Sequence, residues 1–105
     1  MPFTKTTEVA TINSPVIVNG NLTTSVGGEV NTNADITVAG NITLGAGTTL
    51  NENGVIITIA GNWLNNGLFS INNGTVNFNG STAQSVNATA FNKLVVNKSA
   101  GALTL

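Results

Sequence analysis

Cysteine, histidine, arginine and tyrosine are all absent from the 105 residues. Without cysteine there is no disulfide framework and no thiolate nucleophile. Without histidine the commonest general base and metal ligand is missing. Charged residues make up 7% of the chain, against about a quarter in ordinary globular domains. The charges are Lys5, Lys93 and Lys98 against Glu8, Glu29, Asp35 and Glu52, for a net charge of −1. That balance carries no electrostatic footprint for nucleic acid or for an anionic membrane. No apolar run approaches the roughly 20 residues of a membrane-spanning helix, so membrane insertion is not expected. The opening "MPFTKTTEVATINS" has one Lys but no apolar central stretch, so no export signal is visible. Low charge does not imply disorder here, because hydrophobic residues reach 41%.

What fills the chain is repetition. "VIVNGNLT" from Val16, "ITVAGNIT" from Ile36 and "ITIAGNWL" from Ile57 share one pattern: alternating apolar residues, then Gly-Asn, then another apolar residue. "VNFNGSTA" from Val76 keeps the alternation and the Gly, and "LVVNKSAG" from Leu94 keeps the strand and an Asn. A period near 20 residues outranks any local reading.

Helix is disfavoured by the abundant β-branched residues, the frequent glycine and the period-two alternation. Two all-β architectures remain. Five Asn-Gly pairs, beginning at Asn19, Asn53, Asn66, Asn73 and Asn79, are hairpin signals and allow an antiparallel β-sandwich. A sandwich, however, does not require successive strands to carry the same residues at the same offset. A parallel β-solenoid does, because equivalent positions of successive coils stack about 4.8 Å apart. We therefore expect a right-handed parallel β-solenoid of about five coils, the hand following the crossover rule for parallel strands. Residues 1–15 form a lead-in or cap, and the coils are 16–35, 36–56, 57–75, 76–93 and 94–105. The expected core columns are Val18-Val38-Ile59-Phe78, Leu22-Ile42-Trp63 and Val30-Leu50-Ile71. The expected corners pair Gly20 with Asn21, Gly40 with Asn41 and Gly61 with Asn62, with Gly80 continuing the column. The glycines would supply a positive φ, and the asparagines would stack as a ladder.

The segment from Ala60 to Leu105 carries a more specific pattern. Gly61, Asn62, Trp63, Asn65, Asn66, Gly67 and Phe69 match G-N-W-x-N-N-G-x-F. Thr75, Val76, Phe78 and Gly80 match T-V-x-F-x-G, and Phe91, Leu94, Asn97 and Lys98 match F-x-x-L-x-x-N-K. This resembles the β-strand repeats of very large secreted bacterial surface proteins, of the kind exported by gliding and related bacteria. The resemblance implies a stalk or adhesin segment at the cell surface and transfers no catalytic residue. The absent export signal, the short length and the uncapped "SAGALTL" lead us to expect a piece of something longer.

Candidate sites are few. Glu29, Asp35 and Glu52 are a weak Ca²⁺ set, since calcium takes six to eight oxygens, and solvated carboxylates are the simpler expectation. Trp63 could stack on a sugar, yet its parity with Leu22 and Ile42 places it inside. Phe69, Phe78 and Phe91 are expected in the core as well. Thr23 with Thr43 and Thr37 with Thr58 would stack, which makes ice binding conceivable, but Leu64 and Asn77 break the two rows. Six glycosylation sequons, at Asn21, Asn41, Asn73, Asn79, Asn87 and Asn97, fall in an Asn- and Thr-rich chain, and no glycan is expected on them. The chain reads as a non-enzymatic structural protein without cofactor or metal. Its expected partners are copies of itself or flanking repeats, met through the solenoid ends. The alternatives are a self-assembling filament subunit and a glycan- or ice-binding face.

Overall fold

A computed structural model describes residues 3–5, 9–24, 28–87 and 89–105. Among them are strands, turns and bends but no helix. The strands build three parallel faces. The first face holds β1 (Phe3–Lys5), β4 (Leu22–Thr24), β7 (Ile42–Leu44) and β10 (Trp63–Asn65), in that order. The second holds β2 (Val9–Ile12), β5 (Glu29–Thr32), β8 (Thr49–Glu52) and β11 (Leu68–Ser70). The third holds β3 (Val16–Val18), β6 (Ile36–Val38), β9 (Ile56–Ile59), β12 (Thr75–Phe78) and β14 (Lys93–Val96). A short pair, β13 (Gln84–Ser85) with β15 (Leu103–Thr104), sits at the C-terminal end. The chain visits the faces in rotation, so each face gains one strand per circuit. The result is a β-solenoid of about five turns. The lead-in expected at 1–15 itself contributes strands β1 and β2.

Every strand pairing is parallel, which rules out the antiparallel sandwich. The Asn-Gly pairs turn corners instead of reversing the chain. A two-residue I′ hairpin needs positive φ at both central residues. At 53–54 only Gly54 has it (φ 76°), and at 73–74 only Asn73 does (φ 62°).

Alternation along the strands sets what is inside. In β6, Ile36 and Val38 are buried and Thr37 is exposed. Stacking then turns the alternation into columns. Val18 lies on Val38, Val38 on Ile59 and Ile59 on Phe78, while Leu22 lies on Ile42 and Ile42 on Trp63. All of these are at most 1% exposed. The outward rows break where expected: Thr43 is followed by Leu64 and Thr58 by Asn77.

The third column needs correction. Val30 lies on Leu50, but Leu50 meets Phe69, and Ile71 is 43% exposed. Face and parity are right, but the register is two residues off. The strand stops at Ser70 because the next inward position of the previous coil is Glu52. Its carboxylate accepts the Gly74 amide at 2.6 Å and the Asn72 amide at 3.3 Å. The chain bends over this carboxylate, and Ile71 turns outward.

The C-terminal coils are closed by rings. Trp63 packs edge-on against Phe69 (centroids 4.9 Å apart) and Phe91 (5.4 Å). Phe91 also reaches Phe78 at 6.2 Å. Among the described residues the second face gains no strand after β11, and the half-buried Phe91 packs against the core instead.

These positions separate cleanly in a mutation pair. Phe69→Ala should cost about 3–5 kcal/mol by leaving a cavity beside Trp63. Ile71→Ala should cost under about 1 kcal/mol, within the span of strand preferences at an exposed position. Urea-denaturation midpoints decide it, and equal midpoints would return Ile71 to the core.

Candidate functional site

The recurring Gly-Asn corner joins the third face to the first. The apolar residues on either side of it are buried, which leaves the corner backbone at the rim with donors that must be satisfied. Each asparagine does this for the coil above. Asn21 Oδ1 accepts the Asn41 amide at 2.8 Å, Asn41 Oδ1 accepts the Asn62 amide at 2.7 Å, and Asn62 Oδ1 accepts the Ser85 amide at 2.9 Å. The backbone is paired alongside: Gly40 N–H to Gly20 O and Gly61 N–H to Gly40 O, both at 2.9 Å. The ladder is thus a row of side-chain oxygens under backbone amides, not a row of amide groups bonded to one another.

A true amide-to-amide row occurs at the corner between the second and third faces. Asn33 Nδ2 donates to Asn13 Oδ1, and Asn53 Nδ2 to Asn33 Oδ1, each at 3.1 Å. Asn51 Nδ2 reaches Asn31 Oδ1 and Glu29 Oε1, both at 2.6 Å. Nearby, Asp35 Oδ1 accepts the Ile56 amide at 2.9 Å, which is the Asn41 arrangement with a carboxylate in place of an amide.

The corner glycines serve a different purpose from the one expected. Positive φ among glycines is found at Gly47, Gly54 and Gly101, not at Gly20, Gly40, Gly61 or Gly80. What Gly40 and Gly61 permit is close stacking. A Cβ on Gly40 would run into Asn21 Oδ1 and the Gly20 carbonyl, and one on Gly61 into Asn41 Oδ1 and the Gly40 carbonyl. Gly80 similarly faces the Ala60 carbonyl.

The ladder ends in a different device. Gln84, 2% exposed, is the single glutamine of the chain. Its Nε2 donates to Ile59 O (3.1 Å) and Gly61 O (2.5 Å), and its Oε1 accepts Gly80 N–H at 2.8 Å. Lys98 Nζ then donates to Gln84 Oε1 (2.6 Å), Gly80 O (2.9 Å) and Thr82 O (2.8 Å). A buried hydroxyl relay serves another corner: Thr48 donates to Gly45 O at 2.6 Å and receives from Thr24 at 2.7 Å. Reading the repeat does not single out Gln84 or the Thr24–Thr48 pair, and it takes Glu52 for a weak calcium ligand or a solvated carboxylate, not a buried one. For Gln84 the available signal is the break of Gly-Asn into "NGSTAQ".

No chemistry-bearing cluster forms at these corners. Glu29, Asp35 and Glu52 each accept from a different donor. Among the described residues no group of three or more acids, His or Cys could hold a metal ion. Glu52 is also not a solvated carboxylate, being 1% exposed, with Oε2 buried and unpartnered. Trp63 is buried, and its Nε1 donates to Thr89 Oγ1 at 3.1 Å, so it offers no platform for a sugar.

Comparison with protein-family models, curated proteins and solved structures finds no match.

Because only the oxygen of Asn41 is used in the ladder, Asn41→Asp at neutral pH should stay close to the parent in chemical denaturation. Asn41→Ala should lose roughly 0.5–1.5 kcal/mol, the worth of one net hydrogen bond. Equal losses for the two variants would contradict an oxygen-only ladder.

Proposed function

We propose that the chain is a structural segment, a stalk or spacer or the scaffold of an adhesin, from an extracellular bacterial surface protein. The observation that carries this reading is where the polar side chains go. Asn21, Asn41, Glu52 and Gln84 at the corners are spent on bonds between coils, and among the described residues no group of three or more acids, His or Cys is placed to hold a metal ion. A solenoid of this kind gains stability from each neighbouring coil, which suits a part whose task is length and stiffness. The resemblance of 60–105 to secreted surface repeats points the same way.

A specific observation favours a second reading, a self-assembling filament subunit. At the C-terminal end β14 is paired on one side only, and Val96 and Leu105 are 53% and 79% exposed. Leu103, by contrast, is half-buried against the core. An open strand edge over apolar side chains is a template for another strand. A head-to-tail contact between copies continues without closing and gives fibres. The partners in either reading are further coils, of the same chain or of its neighbours.

Light scattering over a concentration series separates the two. A spacer remains monomeric as an isolated chain. A filament subunit grows with concentration, and Val96→Lys with Leu105→Lys abolishes the growth. Growth that persists in the double variant would remove the C-terminal end as the contact.

A further inference from the structure

Asn-Gly is the dipeptide most prone to spontaneous deamidation, since glycine offers no side chain to hinder attack by its own nitrogen. Whether a given pair reacts depends on whether that nitrogen is free. Three of the pairs here are locked. The Gly67 amide donates to Asn65 Oδ1 at 3.0 Å, the Gly74 amide to Glu52 Oε1 at 2.6 Å, and the Gly80 amide to Gln84 Oε1 at 2.8 Å. Gly54 differs. Both Asn53 and Gly54 are exposed, and the Gly54 amide has no acceptor among the described residues. Gly54 also has φ +76°, and a Cβ there would meet only the Asn72 carbonyl oxygen, at 3.8 Å. The four later pairs, at Asn53, Asn66, Asn73 and Asn79, are thus three closed and one open.

We propose that Asn53 is a built-in deamidation site, the one among these four Asn-Gly pairs that the fold leaves chemically open. The Gly54 nitrogen gives up its proton and bonds to Asn53 Cγ. The Cγ–Nδ2 bond breaks and ammonia leaves, producing a cyclic imide. One water molecule then opens the ring. Attack at Cγ yields aspartate, and attack at the Asn53 main-chain carbonyl yields isoaspartate, which lengthens the backbone by one carbon.

The product changes the corner. Asn53 Nδ2 is the donor to Asn33 Oδ1, and a carboxylate there has no proton to give, so the exposed amide row loses its last bond. A negative charge is added to a chain of net charge −1. The added backbone carbon of isoaspartate lies between the buried Glu52 and the buried Val55. It therefore pushes β8 and β9 out of step with the coils on either side. Deamidation at Asn53 is thus a slow, irreversible loosening of the stack at its middle.

The test is peptide-mapping mass spectrometry of the folded chain held at mildly alkaline pH, beside the same chain in concentrated urea. In the folded chain Asn53 should convert at least about tenfold faster than Asn66, Asn73 and Asn79, which react only through local opening. In urea the four should converge. Conversion of Asn53 no faster than the other three when folded would overturn the proposal, as would the same ranking in urea.

Discussion

Each coil of this protein completes its backbone hydrogen bonding only on the coil beneath it. Disulfides are absent and charges are few, and among the described residues no helix satisfies its own amides, so the pairing between coils and the apolar core it encloses hold the chain together. Parallel pairing in constant register follows from that constraint, because a one-residue slip would turn every apolar column outward. The core is therefore a set of like side chains stacked at the strand spacing, ending in four aromatic rings.

Corners are where such a structure is most exposed to failure, since the chain leaves the ladder there while its amides remain. The protein meets this need with oxygen. Asn21, Asn41 and Asn62 place a carbonyl under the next coil's amide, Asp35 does so with a carboxylate, and Glu52 does so from inside the core. Contact that close leaves no room for a Cβ at Gly40 or Gly61. The glycine and the asparagine of the repeat are thus two halves of one requirement. Where the repeat decays, Gln84 spans both neighbouring carbonyls and Lys98 covers the remaining oxygens.

Much of this is legible in the sequence because stacking copies local pattern into space. Alternation gives the inward side of Ile36, Val38 and Ile42, and the period places Val38 on Val18 and Ile59 on Val38. The Gly-Asn pairs mark a corner. What is not legible depends on contacts between unlike residues. Ile71 is two positions out of register because Glu52 captures the turn that follows it, and nothing in the local pattern announces a buried carboxylate. The role of the corner glycines is hidden for a similar reason. Glycine serves both positive φ and close approach, and only the neighbouring coil distinguishes them. The proposed function has no comparable signature, since the side chains that a stalk would need are the same ones that build the fold.

The central claim is that corner amides are bonded between coils as firmly as strand amides, although their side chains face water. Native-state hydrogen exchange tests it directly. The amides of Asn41 and Asn62 should exchange as slowly as those of Ile42 and Ala60 beside them, since all four open only when neighbouring coils part. Exchange of Asn41 and Asn62 at the rate of free surface turns, with Ile42 and Ala60 still protected, would contradict the account.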